Sequence, residues 1–171
     1  VTGTGPGGCT NTATITVNVN ALPIVSASAT SPTICAGGNT VLTASGANTY
    51  TWSPSATLSS STGTSVTATP ATTTTYTVTG LDGNGCSGTG TVTVNVTPNP
   101  VVNITAAGPF CNNGTAVSLV ATPAGGTWTG SGVNASGIFD PASAFIGNNT
   151  VTYTTTVSGC SGTGSINIVV N

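Results

Sequence analysis

VTGLDGNGCSGTGTVTVNVT, residues 78–97, alternates apolar and small polar residues on both sides of a Gly-rich centre. Strict alternation over GTVTVNV (90–96) describes a strand with one buried and one wet face. TTYTVTG (74–80) reads as the strand entering the turn, and LDGNG supplies the turn, because Asp, Asn and Gly tolerate the backbone that a reversal needs. The stretch is therefore a β-hairpin. VTGTGPGGCTNTATITVNVN, residues 1–20, aligns with it without a gap and matches at about half of its positions. The chain opens with a copy of its own centre.

The copy is one sign of a longer period. Cys9 matches Cys86, and Cys86 matches Cys160 within a shared CSGTG. Cys35 matches Cys111 and Trp52 matches Trp128, both 76 positions apart. Tyr76 and Tyr153 stand at corresponding points before the last Cys of each repeat. Pro-containing seams, ALPIV (21–25) and TPNPVV (97–102), mark the boundaries. The expected domains are two repeats, 21–97 and 98–171, behind a fragment, 1–20. That fragment is read as the closing strand or strands of a preceding repeat, the chain being a window on a longer array. The alternative is a donor strand that completes a neighbouring subunit by β-strand addition.

Within a repeat, IVSASA (24–29), TVLTAS (40–45), TYTWS (49–53) and TSVTAT (64–69) join the two hairpin strands as strand signals. Turn residues recur every 8 to 12 positions. Thr and Val favour strands through branching at Cβ, so almost no helix is expected. Six or seven short strands in about 76 residues describe an all-β chain of tandem small antiparallel immunoglobulin-like β-sandwiches. Trp52 and Trp128 fall on the third strand, where such folds bury a Trp. With Tyr76 and Tyr153 they are the expected core aromatics.

Composition excludes many functions. The 171 residues contain no Lys, Arg or His, and only Asp82 and Asp140 carry side-chain carboxylates. Nucleic-acid binding draws its affinity from cations on phosphates, and polybasic lipid binding fails for the same reason. No apolar run approaches the roughly 18 residues of a membrane span, and no charged segment followed by an apolar stretch opens the chain as a signal peptide would. General acid–base work needs a titrating group, and a Ser or Cys nucleophile here would have no base. No enzyme and no cofactor is expected. Asp82 in LDGNG and Asp140 in FDPAS read as turn formers. Asp82-Gly-Asn84-Gly is too poor in carboxylates for a calcium loop, which gathers six to eight oxygens.

Five Cys without His, and without C-x-x-C spacing, do not describe a metal site. Two per repeat, identically placed, describe disulfides and an oxidising compartment. The simplest pairing is Cys35 with Cys86 and Cys111 with Cys160, each closing a loop worth about 4 kcal/mol on the chain-entropy model. Cys9 then has its partner upstream of the sequence. Against this stands a geometric objection. Cys35 follows the first strand and Cys86 sits in the last hairpin, which a strict immunoglobulin order places at opposite poles. Either the strand order departs from the standard one, or a bridge crosses the junction from Cys35 to Cys160.

TICAGGNTVLTASGANTYTWSP, SVTATPATTTTYTVTG and NGCSGTGTVTVNV together resemble the tandem immunoglobulin-like and PKD-like repeats of Bacteroidetes secreted surface proteins, giant adhesins and gliding-associated proteins among them. GTWTGSGVNASGIFDPASA in the second repeat resembles a sister variant, so the middle strands of the two repeats are expected to differ. The resemblance implies an extracellular, cell-surface stalk or fibre.

The expected function is a structural spacer or filament segment of such a protein, its partners being neighbouring repeats or copies of the same protein. The rival is a glycan-binding adhesive module, with a stacking platform drawn from Trp52, Trp128, Tyr50, Tyr76, Tyr153, Phe110, Phe139 and Phe145. Trp side chains in a groove would favour the rival, and buried ones the spacer. A surface this poor in charge lacks the repulsion that normally keeps proteins apart, which favours association of the repeats.

Overall fold

The computed structural model describes residues 1–171. It is almost wholly β, with a single 3-10 turn and no α-helix. β1 (Thr2–Thr4) and β2 (Thr10–Thr12) form a small exposed hairpin, Thr4 opposite Thr10. From residue 13 to residue 25 no strand forms. Ile15, Val17 and Val19 stand open to solvent, as does Ile24.

The first sandwich contains β3 (Ser26–Ala29), β4 (Thr33–Cys35), β5 (Thr40–Ser45), β6 (Thr49–Ser53), β7 (Ser65–Ala68), β8 (Thr74–Leu81) and β9 (Ser87–Thr97). One sheet has the order β3-β5-β7 and the other β4-β9-β8-β6. All pairs are antiparallel except β4 with β9. Two sheets in this order, with a split first strand whose second half lies parallel to the last, make an immunoglobulin-like sandwich. Alternation does what the sequence pattern requires. Thr40, Leu42 and Ala44 of β5 point inward, as do Tyr50 and Trp52 of β6 and Tyr76 and Val78 of β8. The polar tips of the buried aromatics are satisfied. Trp52 Nε1–H donates to Gly63 O at 2.9 Å, the Tyr50 hydroxyl donates to Ala47 O at 2.7 Å, and the Tyr76 and Thr57 hydroxyls share a bond of 2.6 Å.

The second sandwich contains β10 (Asn103–Ile104), β11 (Val117–Ser118), β12 (Ala121–Thr122), β13 (Thr127–Gly130), β14 (Ile138–Phe139), a 3-10 turn (Pro141–Ser143), β15 (Gly147–Val157) and β16 (Cys160–Val170). β13-β15-β16 repeats the order β6-β8-β9. β12 pairs with β10 and β11 with β14, so β11 and β12 together take the place of β5. A parallel bridge between Phe110 and Val170 takes the place of the β4–β9 ladder. The topology is the same, and the middle strands differ by being shorter. The core is Leu119, Trp128, Phe139, Val151, Tyr153, Ile168 and Val170.

Two expectations need correction. Tyr153 does not occupy the position of Tyr76. Trp52 pairs with Val78 and Val78 with Gly90, whereas Trp128 pairs with Tyr153 and Tyr153 with Gly164. Tyr153 therefore replaces Val78, and Val151 replaces Tyr76. Matching tyrosine to tyrosine slips the register by two positions: Tyr76 lies ten residues before Cys86 but Tyr153 only seven before Cys160, and the second hairpin is tighter, Val157 pairing directly with Cys160 while Leu81 and Ser87 flank a five-residue loop. Both tyrosines still face the core, since positions two apart share a face of a strand.

The cysteine pairing also differs from the intradomain pairs 35–86 and 111–160. The bridge is Cys35–Cys160, with S–S 2.07 Å and Cα–Cα 5.5 Å, and Cys9, Cys86 and Cys111 are free. The reason lies in strand length. Cys35 pairs with Thr97 at one end of the 11-residue β9, and Cys86 precedes Ser87 at the other. At about 3.3 Å per residue those ends are roughly 33 Å apart, far beyond the 7 Å limit for a disulfide. The same separation along β16 divides Cys160 from Cys111.

Candidate functional site: the junction between the sandwiches

The junction is built from the last strand of one sandwich and the first residues of the next. β9 ends at Thr97, whose carbonyl accepts from Ala36 N–H at 2.9 Å. The Asn99 amide donates to Ala36 O at 3.3 Å, tying the seam back onto the loop after Cys35. The chain then runs over the start of β16. A Cβ on Gly162 would stand 2.1 Å from Pro100 O, and one on Gly164 would stand 2.8 Å from the Val102 side chain. Only glycine leaves room there. The first sandwich repeats the contact, with Gly88 set 2.1 Å, by the same measure, from Pro23 O. The shared CSGTG is thus a packing motif: its glycines admit the incoming segment, and its cysteine stands at the pole where that segment arrives.

The β15–β16 hairpin delivers Cys160 to the junction. Ser158 and Gly159 make its two-residue turn at φ 52° and 82°, the left-handed pair that suits the twist of a tight hairpin. Cys160 Sγ lies 3.9 Å from Thr97 O, and Cys35 Sγ lies 3.7 Å from Gly159 O. The bridge closes 125 positions of chain, for which the chain-entropy model gives about 5 kcal/mol. What it fixes is the placement of one sandwich on the other.

The remaining candidates are structural. Trp52 is 1% and Trp128 6% exposed, and Tyr50, Tyr76, Tyr153 and Phe139 are buried too. Phe110 is half-buried against Phe139 at a centroid distance of 5.8 Å, and Phe145 alone among the aromatics is open, at 74%. No stacking platform is assembled from them. Asp82 Oδ1 accepts from Asn84 N–H at 2.9 Å and Cys86 N–H at 2.8 Å, which shapes the hairpin loop. Asp140 caps the 3-10 turn, accepting from Ala142 N–H at 3.0 Å and the Ser143 hydroxyl at 2.8 Å. No three His, Cys, Asp or Glu side chains come together. Two shallow cavities, of about 380 and 310 Å³, lie at unrelated places: one along Asn48–Thr51 and Thr62–Thr64, the other beside Gly132, Asn134 and Asp140.

Asn149 was not legible as important. It is buried in β15, where its amide donates to Phe145 O at 2.7 Å and Gly147 O at 3.1 Å, and its Oδ1 accepts from Phe145 N–H. This clamp holds Phe145 and Ile146 outward at the far pole. The only sequence signal is a polar residue at an inward position of the alternating run GNNTVTYT.

No family model and no curated protein matches this sequence. Among solved structures it is similar to a Ca²⁺-stabilized adhesin that helps an Antarctic bacterium reach out and bind ice, at 18% identity and TM-score 0.48, over 99% of this chain and 55% of that one. It is also similar to murine CEACAM1b, at 15% identity and TM-score 0.38, over 86% of this chain and all of that one. The N-terminal Ig1-2 module of the Drosophila receptor protein tyrosine phosphatase DLAR matches at 11% identity and TM-score 0.32, over 88% of this chain. Likenesses this distant carry no functional argument; the sandwich architecture rests on the strand order described above.

Proposed function

We propose that this chain is a spacer segment of an extracellular, cell-surface repeat protein, in which residues 21–97 and 98–171 are two units set in series. The observation that carries this is the Cys35–Cys160 bridge, whose two ends belong to different sandwiches. A bond placed there adds nothing to the interior of either unit. It restrains the joint between them, and a restrained joint is what a load-bearing or distance-spanning array needs. Disulfides belong to oxidising compartments, which accords with export. Residues 1–20 are proposed as the closing hairpin of a further unit. Their geometry supports this: Gly5 N–H donates to Cys9 O at 2.9 Å and Gly8 N–H to Gly5 O at 3.0 Å, as Asp82 N–H does to Cys86 O and Gly85 N–H to Asp82 O.

Small-angle scattering tests the reading. The oxidised chain should fit one arrangement of two sandwiches, and Cys35→Ser should broaden it into many. Identical profiles for the two forms would show that the bridge holds nothing. Saturable binding on a glycan array, abolished by Phe145→Ala, would replace the spacer with an adhesive module.

A further inference from the structure

The chain holds one bridge and three thiols, and the repeat explains which is which. Cys111 is the counterpart of Cys35, while Cys9 and Cys86 are counterparts of Cys160. The bridge therefore joins the first cysteine of one repeat to the second cysteine of the next. Applied to the other three, that rule always points to a repeat outside this pair. Cys111 looks to the second cysteine of a following repeat, and Cys86 to the first cysteine of a preceding one.

The local structure around the two thiols matches the rule. Ala36 N–H donates to Thr97 O and Gly38 N–H to Cys35 O, at 2.9 and 2.8 Å. Around Cys111, Asn112 N–H donates to Asn171 O and Gly114 N–H to Cys111 O, both at 2.9 Å. Ile34 pairs in parallel with Val96, and Phe110 with Val170. Cys111 is thus presented at the outgoing pole as Cys35 is, and it is exposed. On the incoming side, Gly88 underlies Pro23 as Gly162 underlies Pro100. Asn20 precedes Pro23 by three residues, as Thr97 precedes Pro100. Each pole also bears uncovered apolar side chains: Phe145 and Ile146 at the pole of Cys111, where Gly147 and Phe110 both meet Val170, and Leu22 and Leu81 on the side of Cys86.

We infer that Cys86 and Cys111 are junction cysteines, and that an array of these repeats is stapled at every joint, first cysteine to the following repeat's second. The partner is a repeat of the same kind carrying the counterpart cysteine. The inference rests on the serial-array reading above. Each staple forms by exchange with a small-molecule disulfide such as glutathione disulfide. One thiolate attacks it and releases one thiol. The second thiolate then displaces the remaining half as another thiol. Two protein thiols lose their protons, one S–S bond forms, and the oxidant's S–S bond is reduced.

The test is a fusion of the full chain with residues 21–171 of a second copy, so that Asn171 takes the place of Asn20. The second copy is segmentally labelled with ¹⁵N so that its peptides differ in mass from those of the first. The fusion is oxidised with glutathione disulfide, its remaining thiols are alkylated, and chymotryptic peptides are mapped by mass spectrometry. The expected result is a new bridge from Cys111 to the second copy's Cys86, with Cys35–Cys160 in both copies. Cys9, the first copy's Cys86 and the second copy's Cys111 should be alkylated. Cys111→Ser should leave the second copy's Cys86 alkylated without moving either Cys35–Cys160 bridge. A Cys111–Cys160 bridge, or alkylated Cys111 in a fusion that scattering shows to be extended, would overturn the staple and leave the spacer standing. A fusion without serial sandwiches would overturn the spacer reading itself.

Discussion

The two sandwiches keep one strand order with unequal material. The first carries a continuous six-residue β5 and a core of 11 buried residues. The second breaks that strand into two-residue pieces and buries 7. What both retain is the last hairpin, β8–β9 or β15–β16, the Trp strand packed beside it, and the glycines that admit the incoming segment. The difference teaches which parts specify the fold. The hairpin and its aromatic neighbour set the order, while the opposite sheet can fray into short bridges and a loop without losing it.

Removing the aromatic anchor is the strongest way to break that equality. Trp52→Ala and Trp128→Ala should each cost about 3–5 kcal/mol, the range for deleting a large buried side chain. Trp52→Ala should lie at the upper end, because it also forfeits the bond to Gly63 O. Trp128 packs on Tyr153 at a centroid distance of 4.8 Å and has no such bond to lose. Denaturant unfolding followed by circular dichroism checks the cost in the mutated sandwich, whose own Trp is gone, while the single remaining Trp reports the other sandwich. In Trp52→Ala the surviving Trp128 fluorescence should still report a folded second sandwich.

Cutting the bridge comes next. Cys35→Ser should lower stability by about 2–5 kcal/mol, the range for removing a native disulfide. The loss should show as divergence of the two units. With Trp128→Phe and Trp52→Phe as single-Trp reporters of the first and second sandwich, the midpoints should lie closer together in the oxidised chain than after Cys35→Ser. If the gap between midpoints is the same with and without the bridge, the junction does not couple the units.

The hairpin loops differ in a way that sets a smaller effect. In the first sandwich the loop hangs on Asp82, which accepts from two backbone N–H groups. In the second a two-residue turn needs no such side chain. Asp82→Ala should therefore cost about 1 kcal/mol, the worth of a loop hydrogen bond or two at a half-buried site. Asp82→Asn should recover most of it, since an amide oxygen accepts as well. The measurement is the midpoint reported by Trp52 in the Trp128→Phe background.

How much of this was readable from the residues follows from what each signal encodes. Alternation at period two exposed the strands, and the recurrence of Trp52 as Trp128 exposed the repeat. Both are local or periodic facts. The cysteine pairing is neither. It depends on which end of an 11-residue strand each cysteine reaches, and that is settled by β4 lying parallel to β9. Spacing along the chain is blind to that choice. The match of Tyr76 with Tyr153 failed for a related reason: the two tyrosines stand two positions out of register, and only the ladder to Trp52 and Trp128 reveals it. Residues 14–20 show a further limit. They carry the same alternation as 91–97, yet Ile15 and Val19 are 88% and 90% exposed while Val94 is wholly buried. Alternation specifies a strand and one face, but burial needs a neighbouring strand and an opposing sheet.

The smallest expected effect concerns the property that most sets this chain apart from ordinary globular proteins. Both sandwiches have Thr-rich wet faces and no side-chain cation, so neither has a salt bridge between side chains for ions to screen. The wet faces are instead laced by hydroxyl pairs across strands, Thr75 with Thr93 at 2.8 Å in the first unit and Thr156 with Ser161 at 3.1 Å in the second. Hydroxyl bonds carry no net charge. Between about 0.01 M and 1 M sodium chloride the Debye length shrinks from about 30 to 3 Å, and a charge-laced surface would respond. Here the two midpoints should move together and by little, and any self-association of the chain in sedimentation should persist at high salt. A dimer that dissociates on adding salt would place the contact at Asp82, Asp140 or a chain terminus, where the side-chain carboxylates and terminal charges reside, and away from the uncharged faces.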